Sequence, residues 1–391
     1  MTQHTFHRNR FTWLAYLSLA VYGYFLNVLG PITPFLKEEL RLTYTVSSFH
    51  FTAFAVGILL IGVGGHLLIQ RLGKQRSLWL GLFGMSVSVL LLVVGRNPIL
   101  TIGASFLMGF IGSLILAIVP AALSDQHGEM KAVALSEANV IASVFATSAP
   151  LLVGWFAQSG SGWRWALGMM AGVPLLMFLA LGNDPSPETG TIVSKSRPVN
   201  RRLPSLFWMY WLAIFLGVSV EFCMVFWSAD YLEQVLGLVK ADAAQAVSLF
   251  LSAMILGRLL GSRLVQRFST GAMVAISIVV AAAGFLLFWR AETSFLGLSG
   301  LFLTGLGVAN FYPLILSLAI SAADGNTVQA GARATLASGT AILALPLALG
   351  RLADTAGIRA AYGVVVYLLI SVFLISQIAE RISSVRHSVT E

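Results

Sequence analysis

Long apolar segments alternate with short polar ones along the whole 391-residue chain. A helix needs about 20 apolar residues to cross the hydrocarbon core of a bilayer, and lipid offers backbone groups no other hydrogen-bond partner. The short alternating strands of a membrane barrel are not evident in this pattern. The pattern therefore predicts twelve membrane-spanning helices, at 11–35, 46–69, 77–95, 98–124, 133–157, 164–182, 205–230, 243–266, 271–289, 294–321, 329–352 and 359–379.

The one long polar interruption is the segment 183–204, which contains four prolines and lies near the midpoint of the chain. It predicts a linker between an N-terminal six-helix bundle, 1–182, and a C-terminal six-helix bundle, 205–391. No other polar segment approaches it in length.

An internal repeat relates these two bundles. At an offset of 196 residues, three segments match: Gly65–Gly73 with Gly261–Ser269, Phe106–Gly109 with Phe302–Gly305, and Pro150–Ala157 with Pro346–Ala353. Three matches at a single offset indicate that the second six spans repeat the first with the same topology. The fold prediction is therefore an all-α membrane protein of two parallel six-helix repeats around a central cavity, with a solute site near the bilayer midplane.

Composition supports a lipid environment. The mean hydropathy is +0.85, 57% of residues are hydrophobic and only 10% are charged, whereas a soluble protein carries about 25% charged residues. The net charge of +8 does not indicate nucleic-acid binding, because the basic residues stand in loops and at the ends of apolar runs. A single cysteine, Cys223, excludes a disulfide framework and a CxxC metal site. We expect no cofactor and no metal.

The distribution of Lys and Arg predicts the orientation. Thirteen of the 24 fall on the side that carries both termini and the linker, and seven fall on the opposite side. Cytoplasmic loops carry the excess of basic residues. We therefore expect a multi-pass protein of the cytoplasmic (inner) membrane with both termini in the cytoplasm. The first apolar run lacks a cleavage site and is interpreted as a retained span.

The loop after the second span carries a family resemblance. Gln70, Arg71, Gly73 and Lys74 follow the spacing of a motif in the major facilitator superfamily, except that Gln70 stands where the family has an acid. The chain resembles this superfamily over essentially its whole length. The resemblance implies secondary transport and a role for this loop in the cytoplasmic gate, with a latch that is weakened or built elsewhere. The segment 149–154 is similar to a degraded drug–proton antiporter motif.

Charged residues inside predicted spans are the candidates for coupling, because a charge at the membrane centre is costly to place. Glu221 falls near the middle of the seventh span, where a carboxyl group could exchange a proton or pair with a cationic solute. The alternative is a permanent pair with an arginine. Arg258 in the eighth span is the expected partner of a buried acid or an anionic group, or else packs at the helix interface.

The cytoplasmic gate is predicted from the repeat. Glu137 and Arg333 are separated by the 196-residue offset and carry opposite charges near cytoplasmic helix ends. The resemblance implies that Glu137 faces the eighth span, so its partner would be Arg263 or Arg267. A static pair within one half is the alternative. Near the outer end of the seventh span, Asp230 is expected to be a solvated loop residue, and an acid of the outer vestibule is the alternative.

Polar and aromatic residues on spans that the resemblance places around the cavity are candidates for solute contact. They are Tyr24, Asn27, Trp227, Asn310 and Tyr312. The alternative for the aromatic residues is packing or a place in the interfacial belt.

The sequence thus predicts a monomeric, proton-coupled secondary transporter whose partners are a small organic solute, protons and the lipid bilayer. Few fixed charges and many aromatic residues favour efflux of amphipathic or cationic compounds, and uptake of a specific metabolite by symport is the alternative. A non-transporting sensor or scaffold is a third class, which would not need Glu221. A membrane enzyme or an ATP-driven pump is not supported, since the chain has no HExxH motif and no Walker A loop.

Overall fold

The protein is described by a computed structural model that covers residues 6–182 and 203–390, with the side chains of 328 and 384–390 excepted. The predicted linker therefore lies outside the described residues, apart from its last two positions. Regular structure in the described ranges is helical throughout. The α-helices are α1 Arg10–Leu40, α2 Tyr44–Leu72, α3 Lys74–Val94, α4 Pro98–His127, α5 Lys131–Gln158, α6 Arg164–Ala171, α7 Val173–Leu181, α8 Ser205–Leu236, α9 Lys240–Leu264, α10 Thr270–Arg290, α11 Ser294–Val308, α12 Phe311–Ser321, α13 Thr327–Ala356, α14 Ile358–Ala361 and α15 Val364–Thr390.

Within the described ranges, eleven helical stretches are long and apolar enough to cross a membrane. The prediction of an all-helical membrane protein is confirmed. The longest stretch, Pro98–Gln158, has 61 residues and contains two α-helices, α4 and α5, which are joined by a 3₁₀ turn at Gly128–Met130. Short breaks divide three other stretches into α6 with α7, α11 with α12, and α14 with α15.

Helix starts in the second half follow those in the first by 196 residues. The pairs are Tyr44 with Lys240, Lys74 with Thr270, Pro98 with Ser294, and Lys131 with Thr327. Equivalent caps begin two of these helices. The Asn97 side chain accepts a hydrogen bond from the amide of Leu100 at 2.9 Å, and Thr293 accepts from Leu296 at 3.4 Å.

Two glycines at equivalent positions lie at close helix crossings. A Cβ atom on Gly109 of α4 would lie 2.8 Å from the carbonyl carbon of Phe54 in α2. A Cβ atom on Gly305 of α11 would lie 2.5 Å from the carbonyl oxygen of Phe250 in α9. Phe54 and Phe250 are themselves 196 residues apart. In each half, therefore, a glycine allows the backbones of two equivalent helices to approach closely, α2 with α4 and α9 with α11.

The described structure divides into two compact units, and the division does not follow the chain order. The first unit comprises Met1–Ile32 and Ala53–Lys195, and the second comprises Thr33–Thr52 and Ser196–Glu391. Residues 33–52, here called the strap, contain the end of α1 and the start of α2. α1 passes from one unit to the other between Pro31 and Pro34, each of which removes a helical hydrogen bond.

Candidate functional site

Glu221 lies halfway along α8, sixteen residues or about 24 Å from its first residue. Its side chain is half-buried and within electrostatic range of Arg258 on α9. Tyr312 on α12 also lies within electrostatic range of Glu221, and its hydroxyl lies near those of Thr335 and Ser338 on α13. These five residues, here called the Glu221 cluster, bring polar groups from four helices of the second unit together.

The break between α11 and α12 positions Arg258. The Arg258 Nε–H group donates to the carbonyl oxygen of Ala309, which lies in this break, at 3.4 Å, and the rest of the side chain is exposed. Asn310 donates through Nδ2 to the carbonyl oxygen of Gly257 at 3.0 Å and is 8% exposed. A Cβ atom on Gly261 would collide with the Asn310 amide group. The geometry therefore favours a packing role for Asn310, beside the arginine it helps to place.

Tyr24 and Trp227 are both fully buried. The Tyr24 hydroxyl donates to the carbonyl oxygen of Ala166 at 2.9 Å, inside the first unit. The Trp227 indole donates to the carbonyl oxygen of Pro346 at 3.1 Å, inside the second. These contacts favour packing over solute contact for both aromatic residues. Asn27 is half-buried, and its amide donates to the carbonyl oxygen of Gly23 one turn earlier, at 2.9 Å.

Glu137 binds a residue that the sequence analysis did not consider. Arg8 donates through Nε and Nη2 to the two carboxylate oxygens at 2.8 and 2.6 Å, and the Tyr16 hydroxyl donates at 3.1 Å. This partner lies within the first unit, as in the static alternative. The negative charge and hydrogen bonds of Glu137 raise the pKa of the Arg8 guanidinium above its ordinary value. Arg263, Arg267 and Arg333 are exposed in the second unit, and their role in a gate stays a prediction.

The loop that carries the family resemblance leads into an ion pair within the first unit. Gln70 and Arg71 are exposed at the end of α2, and Gly73 has a φ of +82°, which explains a glycine at the turn into α3. Lys74 pairs with Asp125 of α4 at 2.8 Å. The role of this loop in a cytoplasmic gate stays a prediction.

The expectation that Asp230 is a solvated loop residue is wrong. Asp230 is 0% exposed and forms an ion pair with Lys37 of the strap. The Lys37 ammonium also lies 3.9 Å from the centre of the Tyr44 ring. Burial of an unpaired carboxylate would be costly, so the lysine from the distant end of α1 explains how the acid is accommodated. No local sequence signal relates residues 193 positions apart, which is why the pair was missed.

Long apolar helices with ionisable residues inside them define a multi-pass membrane protein whose polar cluster suits solute or ion transfer. A family model described as Major Facilitator Superfamily matches residues 15–344. The chain therefore belongs to this superfamily of membrane transporters, as the sequence analysis predicted.

Two relatives match most of the chain. An MFS-type transporter of Yersinia pestis is 24% identical over 360 residues, which are 88% of this chain and 89% of the relative. The glucose/mannose transporter GlcP of Bacillus subtilis is 24% identical over 316 residues, 74% of this chain and 75% of its own.

Solved structures show the same fold at low identity. The nucleoside transporter NupG, as a mutant, superposes with a TM-score of 0.77 at 12% identity and covers 95% of this chain and 98% of its own. A bacterial homologue of the human lysosomal transporter Spinster, inward-facing and occupied, has a TM-score of 0.74 at 14% identity, with 96% and 98% covered. These likenesses establish the fold alone.

Proposed function

We propose that this chain is a proton-coupled secondary transporter of a small polar organic solute, in which Glu221 carries the proton. The observation that carries the proposal is the position of Glu221: half-buried, at the midpoint of α8, beside Arg258 and Tyr312. A charge at mid-membrane is costly to place, which favours a functional role for the acid at this position. When Glu221 is charged it attracts Arg258, and when protonated it leaves the arginine available to an anionic or hydroxyl-rich solute.

The architecture of the proposal is twelve crossings in two parallel six-helix repeats. The 61-residue stretch Pro98–Gln158 would extend about 90 Å as one helix, three times the thickness of the hydrocarbon core, so it counts as two crossings. The common 196-residue offset of helix starts, of caps and of the glycine crossings supports the repeat. The excess of Lys and Arg supports cytoplasmic termini in an inner membrane, and a monomer has all the parts that this mechanism needs.

The proposal also concerns the direction of transport, efflux or uptake. The efflux hypothesis depended on aromatic residues along the pathway, and the burial of Tyr24 and Trp227 removes two of them. Uptake of a specific polar metabolite is favoured by the hydroxyl groups of Tyr312, Thr335 and Ser338 beside Glu221. The relatives and solved structures named for sugars and nucleosides support the same class of solute.

The test uses proteoliposomes that contain the protein and a trapped pH-sensitive dye. Glucose, uridine, a dipeptide and ethidium are added outside in turn, so that sugars, nucleosides, peptides and a cationic efflux compound are all sampled. We expect one polar solute to acidify the lumen in wild type, Glu221→Gln to abolish this signal, and the exposed loop variant Glu292→Gln to keep it. Full proton movement with Glu221→Gln would contradict the proposal, and a response to ethidium alone would favour efflux.

A further inference from the structure

The strap connects to the second unit through an ion pair at its first turn. By chain order residues 33–52 belong to the first six helices, yet their contacts place them in the second unit. Lys37 and Asp230 pair where the acid is fully buried and the lysine side chain is 15% exposed. Such a pair is stable only while both partners remain together, because either charge left behind would be buried and unpaired.

An aromatic layer lies directly beneath this pair. Phe51 of the strap stacks on Phe226 of α8, with ring centres 4.1 Å apart and planes 6° apart, and meets Trp227 edge-on at 5.5 Å. Along α8 these two rings fall between Glu221 and Asp230, which are about 14 Å apart. From the middle of α8 outward, the order is therefore the Glu221 cluster, the aromatic layer and the ion pair.

Hydrogen bonds fasten the α2 part of the strap along one face of α13. The Asp354 carboxylate accepts from the amides of Tyr44 and Thr45 at 2.7 and 2.8 Å. One turn further, the Ser48 hydroxyl donates to the carbonyl oxygen of Pro346 at 3.2 Å, and another turn on, Thr52 donates to that of Leu343 at 3.3 Å. The spacing of four residues keeps these contacts on one face of α2.

This fastening can be released without unfolding α2. The Thr43 hydroxyl accepts from the amide of Val46 at 3.2 Å, so the first turn of α2 keeps a cap from its own chain. The Asp354 carboxylate accepts its two hydrogen bonds at an exposed site, where water can replace them, and the two hydroxyl groups contribute one hydrogen bond each, of modest net contribution. The Lys37–Asp230 pair differs from these contacts, and from the exposed pair of Glu38 with Lys240, because its acid is fully buried.

We infer that Lys37 and Asp230 are the lock that closes the outer end of the transport pathway, above the aromatic layer, and that every transport cycle opens it. The inference rests on the proposed function, because a closure is needed only if solute moves past Glu221. Neutralising either residue removes the attraction that favours the closed state, whereas exchanging the two charges retains it.

The test uses a Thr52→Cys reporter in a Cys223→Ala background, so that the reporter is the one thiol. It measures how fast a membrane-impermeant methanethiosulfonate reagent, added from outside, labels this cysteine. We expect labelling at least tenfold faster in Asp230→Asn and in Lys37→Met, and a return towards the original rate in the exchange variant Lys37→Asp with Asp230→Lys. The control is Glu292→Gln, which neutralises an exposed loop acid outside the strap and its contacts and should change the rate less than threefold. Unchanged rates in both neutral variants would overturn the lock.

A second measurement uses a variant in which neither charge of the pair is left without its partner. In the double variant Lys37→Cys with Asp230→Cys, a short bifunctional thiol reagent should abolish solute-dependent proton movement, and reduction should restore it. Full activity of the cross-linked protein would show that the pair never opens and would refute the inference. Labelling rates need no solute, so they report on the lock even if Glu221→Gln shows that the proton proposal is wrong.

Discussion

The two glycine crossings allow a prediction whose size follows from the structure. In Gly305→Ala the new Cβ atom would lie 2.5 Å from the carbonyl oxygen of Phe250 and 3.0 Å from the Cβ atom of Ala253. Atoms in contact prefer about 3.5 Å, so α11 would have to move away from α9 by about 1 Å. The carbonyl oxygen belongs to the backbone and cannot rotate aside.

The expected cost is larger than the gain from a better helix former. A gap of this size forfeits a quarter to a half of the dispersion energy of neighbouring contacts, and overpacking costs up to about 3 kcal/mol. Replacing Gly by Ala inside a helix returns about 1 kcal/mol. We therefore expect Gly305→Ala to lower the free energy of unfolding by about 2 kcal/mol, and Gly109→Ala to do the same in the first unit.

The assay is thermal unfolding of the purified protein in detergent, followed by intrinsic tryptophan fluorescence. The matched controls are Gly103→Ala on α4 and Gly331→Ala on α13, where a new Cβ atom has no neighbour within 4 Å. The controls should unfold at the same or a higher temperature than wild type. If Gly305→Ala is as stable as Gly331→Ala, the crossings have room to spare and the reasoning is refuted.

Three further predictions concern the first unit. Tyr24→Phe should lower stability by about 1 kcal/mol through the loss of one hydrogen bond and leave solute-dependent proton movement unchanged; loss of that movement would restore Tyr24 as a solute contact. Arg8→Gln should accelerate hydrogen exchange in the segment before α1, and Glu137→Gln should accelerate it at least as much, because it removes the same pair and also the charged acceptor of the Tyr16 hydroxyl; a smaller effect of Glu137→Gln would contradict the pair. Asp125→Asn should make the lysine that begins α3 react faster with an amine reagent, and an unchanged rate would mean that the pair is not populated in solution.

Local patterns predict the membrane helices because the apolar composition of a span is visible in its own sequence. The bounds of α3 and α4 differ from their predicted spans by only a few residues. The helices continue beyond the apolar cores wherever polar residues extend them into the interface, as at both ends of α1 and α2. The break at Asn310 went unrecognised, since no proline or glycine occupies it.

Contacts between distant segments could not be predicted in the same way. The residues next to Asp230 in sequence predict a solvated position, because they do not indicate that Lys37 is its partner. The sequence predicts an arginine of the eighth span as the partner of Glu137. Arg8 is not predicted, because it precedes the first span and is not part of a helical periodicity. Helix position alone predicts Tyr24 and Trp227 as cavity residues. Their burial and the direction of their polar atoms favour packing, and their contact with a solute stays a prediction.

The strap also affects how this protein can be recombined. A hybrid of two related transporters that is joined at the predicted linker treats each six-helix half as a transferable module. In such a hybrid of this chain, Lys37 and Phe51 would come from one parent, and Asp230 and Phe226 from the other. A hybrid that keeps residues 33–52 with the second parent would instead preserve the ion pair and the stacked rings. The segment that could be exchanged between parents without breaking these contacts is thus discontinuous in sequence.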